Sequence, residues 1–103
     1  MTVTDLERFA ANAAEVAALL KAMGNQRRLM VLCQLAEHGE MRVGDLAQAV
    51  GLSQSALSQH LSLLRQEGLL VSRREAQVIW YRIADPRCEQ LLVTLHQLYC
   101  RMD

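Results

Sequence analysis

One stretch constrains this chain more than any other: "MRVGDLAQAVGLSQSALSQHLSLLRQEGLL", residues 41–70. Val43–Val50 carries apolar residues at helical spacing and stops at Gly51. Ser53 is a natural N-cap for a second helix from Gln54 to about Glu67, which Gly68 ends. Two short helices joined by a tight glycine-containing turn form a helix-turn-helix, and the remaining residues must build a core around it.

The flanks supply that core. Leu6, Phe9, Ala13, Val16, Leu19, Leu20 and Met23 recur at three- and four-residue steps, predicting a first helix over 5–23 that breaks at Gly24-Asn25. A second helix fits 26–38, with an apolar surface almost all round, as expected of a central, buried helix. From Leu69 the period changes. "LLVSRREAQVIWYRI" holds two β-branched and aromatic runs separated by the polar Arg73–Gln77, predicting a β-hairpin. Asp85-Pro86 then caps a last helix running to about Arg101. The expected architecture is a mainly α single domain over 1–103, in the order helix-helix-helix-helix-strand-strand-helix.

Several classes are excluded early. The longest apolar run is Val16–Leu20, far short of the ~20 residues a membrane span needs. The N-terminus has acids early and no basic segment ahead of an apolar one, so no secretion signal is expected and the cytoplasm is the expected location. No nucleophile–base pair and no phosphate loop suggest an enzyme, and no cofactor is expected. Net charge is zero, so nucleic acid would have to be held by local rather than bulk positive charge. Residues 53–82 do carry a modest basic excess, Arg65, Arg73, Arg74 and Arg82 against Glu67 and Glu75.

The helix from Gln54 is the most informative. At 100° per residue Leu57, Leu61 and Leu64 fall within about 60° of one another and face inward. Gln54, Ser55, Ser58, Gln59, Ser62, Arg65 and Gln66 share the opposite arc, with His60 at its edge. An ordinary solvated face carries Glu and Lys. This one carries short hydrogen-bonding groups suited to base edges and phosphates in a major groove. Arg73 and Arg74, expected near the hairpin tip, are placed as a wing would be, along the DNA backbone.

"LLKAMGNQRRLMVLCQL", the helix-turn-helix stretch and "VSRREAQVIWYRI" together resemble the ArsR-type winged-helix transcriptional repressors, over about residues 17–100. The resemblance implies a homodimer on an imperfect palindrome of double-stranded DNA. It places Ser55, Ser58, Gln59 and His60 in the DNA-contacting stretch. A dimer also has an independent argument: Leu91, Leu92, Leu95 and Leu98 stripe the last helix, the first helix has a stripe too, and a small core cannot bury both.

Many of these repressors answer to metals, and a metal response is the alternative expectation. The family's thiol-rich metal stretch corresponds here to "MRVGDLA", without cysteine, and His96 with Cys100 is too few ligands for a site, so no metal is expected. The three cysteines, Cys33, Cys88 and Cys100, have no CxxC spacing. "VLCQL" and "LYCRMD" resemble, in placement, the thiol pair of the sulfide- and persulfide-responsive branch, the BigR/SqrR-like and HlyU-like repressors. That likeness implies that Cys33 and Cys100 sense, with a persulfide, polysulfide or oxidant as inducer and a disulfide or polysulfide bridge as product. Physical reasoning ranks the thiols differently. Cys88, in the first turn of the last helix, is favoured as a thiolate by the helix dipole and is expected to be an exposed bystander. Cys33, in the most apolar helix, should ionise reluctantly.

Overall fold

The computed structural model describes residues 2–100. The elements are α1 (Val3–Ala11), α2 (Ala13–Met23), α3 (Gln26–His38), β1 (Glu40–Arg42), α4 (Val43–Val50), α5 (Gln54–Gln66), β2 (Leu70–Glu75), β3 (Val78–Ile83) and α6 (Pro86–Tyr99). Helices α3, α4 and α5 meet around Leu32, Leu35, Leu46, Leu57, Leu61 and Leu64, none more than 1% exposed. The sheet, in strand order β1-β3-β2, closes this core with Tyr81 and Ile83 from β3 and Leu70 from β2. From α6, Cys88 and Leu92 complete it.

The caps read from the sequence are in place. The Ala56 N–H donates to Ser53 Oγ at 3.1 Å at the start of α5, and Gly51 takes the left-handed conformation (φ 70°) that ends α4. At the start of α6 the Arg87 N–H donates to Asp85 Oδ1 at 2.9 Å, with Pro86 in the first turn. Arg28 closes the C-terminal end of α2: its Nε donates to the Ala22 carbonyl at 2.7 Å and its Nη2 at 3.3 Å to that of Lys21, which also accepts from the Gly24 N–H.

Four details differ from expectation. The first helix is two, α1 and α2, because Asn12 breaks it: its Nδ2 donates to the Arg8 carbonyl at 3.1 Å, a local bond that competes with helix continuation. A short strand, β1, pairs antiparallel with β3, Glu40 opposite Arg82 and Arg42 opposite Trp80. Helix α3 buries Val31, Leu32 and Leu35 but leaves Met30 and Ala36 exposed, so it is central without being enclosed. The hairpin turn is tighter than the polar run suggested. Strands β2 and β3 pair out to Glu75 and Val78, and only Ala76 and Gln77 turn the chain. Arg73 and Arg74 therefore lie close to the tip, but in paired strand rather than in the turn.

Among the described residues no helix is long and apolar enough to cross a membrane. Helix α6 ends at Tyr99, and the expected extension to Arg101 lies outside the described residues.

Candidate nucleic-acid interface and thiol groove

Helix α5 divides as its sequence requires. Leu57, Leu61 and Leu64 anchor it, and Gln54, Ser55, Ser58, Gln59 and Arg65 are exposed, with His60 half-buried. The apolar anchors fix the rotation of the helix, and that rotation points the polar row outward. Gln54 lies beside the start of α4: a Cβ added at Gly44 would sit 3.8 Å from its Nε2. Towards the other end of α5, Ser62, Arg65 and Gln66 line an open groove of about 490 Å³ with Leu70, Val71 and Ser72 of β2. Helix α5 and the hairpin are thus joined along one groove of mixed polar and apolar side chains.

The two wing arginines lie on opposite faces of the sheet. Side chains alternate along a strand. Arg74 shares a sheet face with Leu70 and Ser72, and Arg73 takes the other. Arg73 is also occupied. Its Nε and Nη2 donate to Glu40 Oε2 and Oε1 at 2.9 and 2.7 Å, and its Nη1 to Glu75 Oε2 at 2.7 Å. Its guanidinium stands 5.2 Å from the centre of the Trp80 ring. Glu40 and Trp80 escaped sequence reasoning because the strand that brings Glu40 there was not foreseen.

The thiols sit where α3 meets α6. Cys33, Ala36 and Glu37 of α3 line a groove of about 350 Å³ with Leu92, Val93, His96 and Gln97 of α6. All three cysteines are free; Cys33 is half-buried and Cys100 exposed, its N–H donating to the His96 carbonyl at 2.8 Å. Burial raises the Cys33 pKa, and the charge of Cys100 adds to the rise. Among the described residues no three His, Cys, Asp or Glu side chains gather as a metal site.

Cys88 corrects an expectation. It is wholly buried rather than exposed. Burial, followed by the charges of Asp85 and Glu89 and then of Cys33, pushes its pKa up to about 11. The helix dipole is present there, but desolvation and two nearby carboxylates outweigh it. Its folded pKa is raised, so the stabilisation it brings is complete below the ordinary thiol pKa and is lost as pH rises through about 11. Alkylation of the reduced native protein by iodoacetamide at neutral pH should label Cys100 first and Cys33 more slowly. Cys88 should be labelled only on unfolding. Peptide mapping by mass spectrometry reads the order, and early labelling of Cys88 would contradict this placement.

A three-helix core with an outward polar reading helix and a hairpin beside it defines a winged-helix DNA-binding regulator. The chain belongs to the arsR family of bacterial regulatory proteins, whose model matches residues 25–72. It is 44% identical to the transcriptional activator HlyU of Vibrio cholerae serotype O1, over 94% of this chain and 89% of that protein. The structure of reduced HlyU from Vibrio cholerae N16961 matches with a TM-score of 0.85 and 44% identity, over 92% of this chain and 99% of that one. The transcriptional repressor BigR from Xylella fastidiosa matches with a TM-score of 0.87 and 40% identity, over 99% of this chain and all of that one. These relatives are named as regulators of transcription, and this chain is a DNA-binding transcriptional regulator of the same family.

Proposed function

We propose that this regulator is a homodimeric repressor that holds an imperfect palindrome while Cys33 and Cys100 are reduced and releases it when they are bridged. The observation that carries the reading is the placement of the two thiols. One is half-buried on α3 and the other is exposed at the end of α6, the helix that packs on α3. Helix α3 packs on α4 and α5 as well as on α6, so a link made at Cys33 acts on a helix that touches the reading head. The relative solved as reduced HlyU adds support for a redox-dependent state.

In the reduced dimer, Gln54, Ser55, Ser58 and Gln59 meet base edges and phosphates in each half-site. His60 and Arg65 reach the backbone, and Arg74 extends the contact from the wing. The dimer face is built from α1 and α6. Leu6 and Phe9 on the first, and Leu95, Leu98 and Tyr99 on the second, remain exposed on the single chain.

The inducing chemistry is sulfur transfer. A hydropersulfide R–S–S–H gives its outer sulfur to one cysteine thiolate and leaves as a thiolate, forming Cys–S–SH. The second thiolate attacks the cysteine sulfur of that group, closes a disulfide and expels HS⁻. If both thiols are loaded first, the same displacement leaves a trisulfide.

The test compares operator binding by fluorescence anisotropy for reduced and polysulfide-treated protein. Treatment should weaken binding by roughly 5- to 150-fold, the usual size of coupling between two sites, and dithiothreitol should restore it. Equal affinity of the two forms overturns the reading. Release by zinc instead of polysulfide would replace it with a metal response.

A further inference from the structure

We propose that Arg73 is a positioning residue that clamps the wing to the helix-turn-helix, leaving Arg74 as the arginine of β2 that meets the DNA backbone. The registers place Arg42, Trp80 and Arg73 in one row across the three strands, on one face of the sheet. Glu40, two residues before Arg42, and Glu75, two after Arg73, share that face. Strand β3 lies between Glu40 and Arg73, and the long arginine side chain spans it to reach the carboxylate.

The contact is two-pronged: Glu40 accepts at both oxygens, from Nε and Nη2, and Glu75 takes Nη1. This planar fork is geometry an arginine offers and a lysine does not. Arg73 and Arg42 both approach the Trp80 ring, at 5.2 and 5.8 Å from its centre. Arg42 in turn donates from Nε to Asp45 Oδ2 at 3.0 Å, in the first turn of α4. A chain of charged contacts therefore runs from the wing through β1 to the first helix of the helix-turn-helix. The Arg73 guanidinium, hydrogen-bonded to it, holds the Glu40 carboxyl below the usual carboxylate range.

The rest of the wing supports this division of labour. Arg74 has no salt bridge among the described residues and lies on the sheet face shared with Leu70 and Ser72, which, together with Val71 from the other face, line the groove beside Arg65. Arg73 points the other way and has two carboxylates competing with any phosphate. A wing joined to the core only by its strands could pivot. The clamp fixes its angle, and with it the distance from Arg74 to α5.

The experiment measures operator affinity across a salt series for wild type, Glu40→Gln, Arg73→Lys, Arg73→Gln and Arg74→Gln. Each phosphate contact contributes about 0.9 to the slope of log affinity against log salt. Arg74→Gln should lower the slope by about one contact. Glu40→Gln, Arg73→Lys and Arg73→Gln should weaken binding several-fold with the slope unchanged. Combining Glu40→Gln with Arg73→Lys should weaken it no further, since both break one contact. Trp80 is the chain's single tryptophan, so its emission should shift in the free Glu40 and Arg73 variants and stay put in Arg74→Gln. Wild-type affinity in Arg73→Lys, a lower slope in Arg73→Gln, or tighter binding with a steeper slope in Glu40→Gln each overturns the clamp. All the variants, the double one included, are compared with wild type at matched thermal stability, and Arg73→Lys, which keeps the charge, separates lost geometry from lost charge.

Discussion

Glutamate at Phe9 or at Leu98 should leave a folded monomer that binds the operator roughly 10²- to 10⁴-fold more weakly, the advantage lost when two linked contacts become one. Phe9 is 53% exposed and Leu98 67% exposed on the single chain, and α1 buries no residue at all. Neither side chain supports the core, so the substitution should not unfold the chain. What it would do is place a charge in the proposed two-fold face, where burial without a partner is costly. A monomer would still present one α5, but only to one half-site, and dimers of this type span half-sites roughly 34 Å apart. Analytical ultracentrifugation beside anisotropy checks both consequences. Dimeric variants with wild-type affinity would show that α1 and α6 do not form the interface.

The second large effect concerns the thiols. Cys33→Ser and Cys100→Ser should each bind the operator as the reduced wild type does and keep it after polysulfide treatment. Serine supplies no sulfur for the bridge yet preserves shape, so a lost response with retained binding separates sensing from reading. Cys88→Ala should still respond, although with lower stability, because it empties part of a fully buried site. Release of either serine variant as readily as wild type would remove the pair from the switch.

The frame of this protein was legible because its punctuation is strong. Gly51, Ser53 and Gly68 act through backbone conformation and side-chain capping, which are local, so the helix-turn-helix could be read without knowing what packs on it. The outward row of α5 was legible for the same reason: once Leu57, Leu61 and Leu64 are taken as anchors, the rotation of the helix follows. The misses are non-local. Strand β1 is three residues, Glu40–Arg42, held by pairing to a strand some forty positions later, and nothing in "EMR" announces it. The hairpin turn places Ala76 at φ 56°, a left-handed conformation where glycine or asparagine is the usual signal. Without that signal the polar run 73–77 reads as the turn, whereas Arg73, Arg74 and Glu75 are paired strand residues just short of it. Cys88 was misplaced because the helix dipole can be read from position, whereas burial against the core and the neighbouring carboxylates cannot. The thiol pair came from family likeness; of the two, Cys33 lines the α3–α6 groove and Cys100 is exposed beyond it.

Address and architecture are written on separate sides of α5. Gln54, Ser55, Ser58 and Gln59 contribute nothing to the interior, while Leu57, Leu61 and Leu64 contribute nothing to the outward face. On the proposed reading, exchanging a few of these surface side chains would retarget the protein to a new operator, with neither the foldability of the domain nor the proposed thiol switch on α3 and α6 having to change.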